Sequence, residues 1–350
     1  MAAAPAGARS ERRTFRSRSG ASGGRRLMPA GYVLLVILIG LALAALLNAR
    51  TLANAAKDQP VGLKRDVLVA LTKPITGISS LLRLDKPREL VDAALGRSSQ
   101  EQSDVHHRPN SGGHHTATPT PGASGSASAT PRPAWTPSKH DKLALWVGGD
   151  SMAMVFGQSL VAMSQQTRVI DAVLDYHVSS GLSRPDFFDW PKRLRAEMTS
   201  YDPDVAVALF GANDAQGVEY QGKVLKFDTP EWIALYHERV GAAMDILIGK
   251  QHRPVWWVGM PISRLSDYNY NLMVLNKVYG DEARKRPEVR YVDSWTMFAD
   301  KNGNYTDYLR GLSGTTELMR QSDGIHWTRA GGDLLAKAVL DQVEAHWHIE

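Results

Sequence analysis

The hydrophobic pattern of this chain changes period abruptly at one point. Leu143 to Val147 is an apolar run that closes on Gly148, Gly149, Asp150 and Ser151. From Met152 onward Val155, Phe156, Leu160 and Met163 recur at helical spacing. The pattern predicts a buried strand that delivers a serine to a sharp turn at a helix N-terminus. Further strands are predicted at Thr167 to Val173, at Val205 to Phe210 behind Asp202-Pro203-Asp204, at Val255 to Met260, and at Val289 to Val292. Helices are predicted between them. Asp189 caps one through Leu194 and Met198, Thr229-Pro230-Glu231 opens a long one through Tyr236, Val240 and Ile246, another covers Tyr270 to Arg284, and the last runs from Thr328 to His346. Strands alternating with helices predict an α/β class domain, a doubly wound parallel sheet of about five strands covered on both faces. In such sheets ligands bind at the carboxyl ends of the strands.

The N-terminal part follows other patterns. From Tyr32 to Leu47 every residue except Gly40 is apolar, and the uncharged stretch of residues 31–49 reaches the length of a membrane-spanning helix. Arginines crowd its N-terminal flank, so the positive-inside rule places residues 1–30 in the cytoplasm and everything after Ala49 outside. A cleaved signal peptide is the rival reading, since Ala53-Asn54-Ala55 resembles a processing site; the length of the apolar run favours a retained anchor. Residues 50–97 carry Leu63, Val67, Leu71, Ile78, Leu81 and Leu82 at helix-like spacing, interrupted by Pro74 and Pro87, and read as short membrane-proximal helices that either pair with a partner or lie at the interface. Residues 98–140 are rich in Ser, Thr, Pro, Gly, Ala and His and read as a disordered linker. The ordered domain is residues 141–350.

Composition narrows the function classes. The net charge is +5, but residues 1–30 hold seven arginines against Glu11, a local +6 that leaves −1 for the rest. The basic character therefore belongs to a tail, read as disordered, and no nucleic-acid-binding body is expected. There is no cysteine, which excludes thiolate catalysis, Cys-ligated zinc and a disulfide framework. The pairs His106-His107 and His114-His115 lie in the linker and read as solvated filler, so neither a metal site nor a cofactor is expected.

Candidate chemistry sits at the predicted strand ends. Ser151 follows the first strand, Ser179-Ser180-Gly181-Leu182 the second, and Gly211-Ala212-Asn213-Asp214 the third; Asp323-Gly324-Ile325-His326 precedes the last helix. Alone, each has a plain structural meaning: Asp150 or Ser151 as an N-cap, Gly181 as a loop glycine, Asn213-Asp214 as turn residues, His326 held by Asp323 beside the cap Thr328. Together, in this order, Gly-Asp-Ser, Gly, Gly-x-Asn-Asp and Asp-x-x-His resemble the SGNH (GDSL-type) hydrolase superfamily, over the domain from Leu143 to the end. Gly211-Ala212-Asn213-Asp214-Ala215-Gln216, with the run from Gly181 to Pro191, resembles a bacterial subgroup known mainly as a domain of unknown function. The resemblance implies a flavodoxin-like sheet. It also implies Ser151 as nucleophile, His326 as general base, Asp323 orienting its imidazole, and an oxyanion hole made by the backbone N–H groups of Ser151 and Gly181 and the Asn213 amide. Met152 departs from the leucine of the family pattern, at a position that packs in the helix. No catalytic duty is assigned to Asp150.

The chemistry is sound independently of the family. A serine hydroxyl needs a base, and a histidine can both take that proton and return it to a leaving group. An anchored extracytoplasmic enzyme of this type is expected to remove acetyl-type acyl groups from a cell-envelope glycan or lipid. The alternatives are an acyltransferase that uses the same acyl-serine to modify a glycan, and a noncatalytic glycan-binding envelope protein. Tyr176, Trp190, Trp232, Tyr268 and Tyr270 are candidates to line the pocket, the loops of residues 216–228 and 261–270 to cover it, and Arg184 and Arg264 to steer an anionic substrate, with core packing and ordinary surface arginines as the plainer readings.

Overall fold

The computed structural model describes residues 30–57, 59, 62–81 and 135–349. Residues 1–29 of the predicted basic tail, residues 82–97 of the predicted membrane-proximal segment and the predicted linker up to residue 134, with its histidine pairs, lie outside the described residues.

The N-terminal part forms α1 (Ala30–Leu47), α2 (Ala49–Lys57) and α3 (Leu63–Leu81). The expected apolar helix is α1, whose Val36, Leu41 and other large side chains are exposed around its girth. At ~1.5 Å per residue it is about 27 Å long, against ~30 Å of bilayer hydrocarbon. Among the described residues no helix is long and apolar enough to cross a membrane. Pro74 does not interrupt α3.

The remaining chain builds the predicted α/β domain. Its elements are β1 (Leu143–Gly149), α4 (Ser151–Thr167), β2 (Ile170–Tyr176), α5 (Trp190–Ser200), β3 (Val205–Leu209), β4 (Val218–Tyr220), β5 (Lys223–Leu225) and α6 (Pro230–Ile248), followed by β6 (Val255–Val258), α7 (Ser266–Arg284), β7 (Val289–Val292), α8 (Ser294–Met297), β8 (Tyr308–Arg310), β9 (Thr316–Leu318) and α9 (Arg329–Trp347). The main sheet is five-stranded and parallel, in the order β2-β1-β3-β6-β7. β3 and β6 are buried throughout and β1 almost so, because helices cover both faces and no residue of a central strand faces water. The helices pack in two groups, α9 along α4, and α5 against α6 against α7.

Two features set the position of the site. The strand order reverses between β1 and β3, and in doubly wound sheets the crevice opens at that reversal. In register, Gly149 lies beside Tyr176 on one side and Leu209 on the other. The segments that follow β1, β2 and β3 therefore emerge together.

Several boundaries differ from expectation for local reasons. Thr167 ends α4 rather than opening β2: its Oγ1 donates to Ser164 O and accepts the Val169 and Ile170 N–H groups, and Arg168 takes a left-handed conformation at φ 65°. β6 stops at Val258 because the Asn276 side chain takes the Met260 N–H. The segment of residues 216–228 is built around the β4–β5 hairpin.

Candidate active site

Gly149 makes the turn possible. Its φ of +153° and the Leu209 carbonyl oxygen, which a Cβ would overlap, exclude a side chain. Asp150 caps α4, with Oδ1 accepting the Met152 N–H at 2.9 Å, so Ser151 becomes the first helical residue. Its backbone N–H stands in the first turn, where helices leave N–H groups without intrahelical acceptors.

Ser151 Oγ lies 2.9 Å from His326 Nε2, and His326 Nδ1 lies 2.6 Å from Asp323 Oδ2. The carboxylate fixes the proton on Nδ1 and leaves Nε2 as the acceptor for the serine proton. Gly324, at φ +72°, curls the segment so that Asp323 Oδ1 also accepts the N–H groups of Ile325 and His326 at 2.8 and 3.0 Å. Partial burial alone would raise the Asp323 pKa; these two N–H groups and the imidazole hold it below the ordinary carboxylate value. The three residues predicted for proton transfer thus come together from the start of α4 and the turn before α9.

The other two predicted oxyanion residues, Gly181 and Asn213, lie in loops that are tied to each other. Gly181 lies against the Asp214 carboxylate so closely that a Cβ would overlap it. Asn213 Nδ2 donates to Ser180 O at 3.0 Å, which ties the loop after β3 to the loop after β2 and leaves the amide a second N–H. A cavity of about 250 Å³ opens there, lined by Ser179, Arg184, Phe187, Asn213, Gln216 and Tyr268 among others.

Three residues hold this arrangement; the sequence offered Asp150 as a cap, which it is, but not the links that Asp150, Asp214 and Arg320 make between segments. Asp150 is wholly buried, and its Oδ2 accepts the N–H groups of Gly211 and Ala212, each at 2.8 Å. It joins the nucleophile turn to the Asn213 loop. Burial, reinforced by nearby Asp214, outweighs the three N–H donors and pushes its carboxyl up to about 7. Asp214, also buried and raised by burial, accepts the Ser183 N–H at 2.7 Å and the Tyr236 hydroxyl at 2.7 Å. Tyr236 meets the hydroxyl of Tyr279, which donates to Phe210 O. Arg320 is 1% exposed; its guanidinium donates to Ile325 O at 2.7 Å and Ile262 O at 2.9 Å and lies 4.0 Å from the Trp327 ring. Burial lowers its pKa to about 9, so it remains cationic at neutral pH. Asp150 and Asp214 flank the recognisable motifs, whereas nothing in the local sequence distinguishes Arg320.

Other expectations resolve differently. Tyr268 lines the cavity, while Tyr176, Trp190 and Trp232 are buried core residues. Tyr270 is exposed and bonds Asp228. Neither arginine is a free steering cation: Arg184 is buried with two bonds to Asp186, and Arg264 binds Asp307 and Ser322 O. Among the described residues no cluster of three His, Asp or Glu residues is placed to hold a metal.

The Ser–His–Asp line is the constellation of an enzyme that works on ester bonds through a serine. No curated protein matches the chain in sequence. Among solved structures it is similar to the C-terminal catalytic domain of Streptococcus pneumoniae peptidoglycan O-acetyltransferase A carrying a methylsulfonyl adduct, at 14% identity and a TM-score of 0.38, covering 60% of this chain and 97% of that one. It is also similar to a gut microbial diltiazem-metabolizing enzyme, at 16% identity and TM-score 0.38 over 57% of this chain and 46% of that one. A third is a salicylyl-acyltransferase from a tetracycline biosynthetic pathway, at 13% identity and TM-score 0.34 over 58% and 55%. At this distance none of them assigns a substrate to the present chain. Residues 144–342, more than half of the sequence, match the family described as Protein of unknown function (DUF459), and the chain belongs to that family.

Proposed function

We propose that this protein is a membrane-anchored, extracytoplasmic serine esterase that removes short acyl groups of the acetyl type from a cell-envelope glycan or lipid. The observation that carries the reading is the continuous line Ser151 Oγ to His326 Nε2 at 2.9 Å and His326 Nδ1 to Asp323 Oδ2 at 2.6 Å. Ser151 Oγ attacks the ester carbonyl carbon while His326 Nε2 takes its proton. The oxyanion develops opposite the Ser151 and Gly181 N–H groups and the Asn213 amide, and Asp323 stabilises the imidazolium. The C–O bond to the leaving alcohol breaks, that alcohol takes the proton from His326, and an acyl-serine remains. Water, deprotonated by the same imidazole, then releases the acid and restores the serine.

The substrate class rests on a proposed location: the apolar α1 is the proposed anchor, and the arginines before it in sequence support, by the positive-inside rule, a domain outside the cytoplasm. Slight lengthening of α1 at its C-terminal end, through the uncharged Asn48 and Ala49, would complete a span.

The purified full-length chain is expected to hydrolyse p-nitrophenyl acetate and to be labelled at Ser151 by a fluorophosphonate, with both lost in Ser151→Ala. A wild-type chain that neither turns over acyl esters nor takes the label refutes the esterase. Acyl-serine formation that discharges faster to an added glycan than to water assigns the transferase instead.

A further inference from the structure

α3 carries an apolar face that the rest of the molecule does not cover. Leu63, Val67, Leu71, Ile78 and Leu81 are 48–82% exposed, and at 100° per residue they fall within an arc of roughly 80°. The opposite side, with Leu68, Val69, Thr72, Ile75 and Ser79, is half-buried or buried, and α3 packs on α2 and α1. The same helical pair reaches the cavity beside the Asn213 loop. Arg65 bonds Asp186 at 2.8 Å, Asp186 bonds Arg184 in the cavity wall, and Arg184 donates to Gln59 O. Burial alone would raise the Asp186 pKa; Arg184 and Arg65 together hold it below the ordinary value.

Two observations identify what covers the stripe. One is charge: residues 49–81 hold five cations, Arg50, Lys57, Lys64, Arg65 and Lys73, against Asp58 and Asp66, a net +3. With +6 in residues 1–30 and +5 in total, residues 82–350 are left at −4. Lys64 and Lys73 stand exposed at the two borders of the stripe, where long cationic side chains reach lipid headgroups while their stems cover apolar surface. The other is shape. A second copy packing here as a coiled coil would place Ala70, Pro74 and Gly77 along the seam, positions where knobs-into-holes packing needs large branched side chains. A fluid apolar layer has no such need.

We infer that the outer stripe of α3 lies in the headgroup region of an anionic bilayer, and that the Arg65–Asp186–Arg184–Gln59 chain thereby holds the mouth of the substrate cleft at the membrane surface. The inference rests on the proposed anchor but not on the esterase reading. Taken together with the esterase reading, it confines the enzyme to acyl esters within reach of the bilayer.

The test uses the absence of cysteine, which makes any introduced thiol unique. Full-length chain with a fluorophore at Val67→Cys, Leu71→Cys or Ile78→Cys is reconstituted in phosphatidylcholine–phosphatidylglycerol vesicles containing doxyl-labelled lipid. Thr72→Cys serves as the inner-face control and Ile37→Cys as the α1 control. Quenching by doxyl lipid several-fold stronger at the three stripe positions than at Thr72, and weaker when phosphatidylglycerol is omitted, is expected. Quenching at Ile37 without quenching at the stripe overturns the inference and leaves the anchor; quenching at neither overturns both. Excimer emission from pyrene at Ile78, without lipid quenching, assigns the stripe to a second copy and overturns it as well. For the link to the cleft, energy transfer from a donor at Lys192→Cys to acceptor-labelled headgroups should fall when Arg65→Glu breaks the contact with Asp186. Unchanged transfer refutes the link.

Discussion

Replacing Asp150 by asparagine tests whether burial or hydrogen bonding decides the state of the carboxyl beside the nucleophile. The two forces oppose each other. Three backbone N–H groups favour the anion, while complete burial and the neighbouring Asp214 disfavour it, and the balance lies at about 7 against an ordinary 3.8. In this interval the folded chain holds a proton that the unfolded chain has released, so stability falls as pH rises from about 4 to about 7. One pKa unit is worth ~1.4 kcal/mol, so between pH 5 and pH 8 the wild type loses up to about 3 kcal/mol at this group. Asparagine does not titrate there. The stability of wild type minus that of Asp150→Asn is therefore expected to shrink by up to that amount between pH 5 and pH 8, with the groups that do not interact with Asp150 cancelling in the difference and Asp214, which does, contributing to it. Urea unfolding at several pH values gives it directly. All nine tryptophans lie between Trp135 and Trp347, so their fluorescence reports the catalytic domain within the full chain. A difference that widens with pH would mean that the N–H donors prevail over burial, and would refute the reasoning. Asparagine also has one oxygen for two tasks: facing Gly211 and Ala212 it gives up the α4 cap, a loss of about 1 kcal/mol, and facing Met152 it releases the backbone that carries Asn213.

Asn213→Ala should lower kcat for p-nitrophenyl acetate roughly a hundredfold or more, about 3 kcal/mol of transition-state stabilisation, with the unfolding midpoint moved far less; an unchanged kcat would exclude the amide from the oxyanion hole. Gly181→Ala must displace the Asp214 carboxylate, so loss of stability is expected together with loss of activity, and a fully stable, active variant would contradict the close approach described. Arg320→Met leaves the Ile325 and Ile262 carbonyls without their guanidinium donors; kcat should fall at least roughly tenfold at nearly constant KM, with Arg320→Lys intermediate because one ammonium cannot serve both directions as a planar fork does. Equal effects of Met and Lys on kcat would show that the fork is not what aims His326.

What the sequence made legible was what repeats or interrupts a pattern. β1, β3 and β6 are nearly continuous apolar runs bounded by turn residues, and Asp189, Thr229 and Thr328 cap helices as their positions indicate. Ser151, Asp323 and His326 were legible because glycines and strand ends mark the places where a doubly wound sheet opens. The β8–β9 hairpin was not, because its strands are three residues long and half-exposed, too short to show a period. For the aromatic residues the plainer reading, core packing, is the one the structure shows at Trp190 and Trp232. Trp190 and Trp232 have the size of ligand-binding platforms, yet their indole N–H groups are satisfied inside, by Ser180 Oγ and Gln216 O, so they bury completely. Arg320 was invisible because its partners are backbone carbonyls, which every residue supplies.

The proposed reacting groups come from four separate segments; polar side chains fasten three of them to one another and the fourth, the base turn, to the segment after β6. Asp150 joins the nucleophile turn to residues 211–212, Asp214 joins residues 214 and 183, Asn213 joins the same two loops through Ser180 O, and Arg320 joins the base turn to residue 262. Apolar side chains of similar volume would have been cheaper to bury, but dispersion has no direction, and three strand ends packed only by apolar contacts can slide by fractions of an ångström. A hydrogen bond to a carboxylate or a guanidinium fork loses strength over such a displacement. Burial raises the carboxyls of Asp150 and Asp214, and that is the cost to be expected where stability is given up to keep the proposed nucleophile, base and oxyanion pocket in register before any substrate arrives.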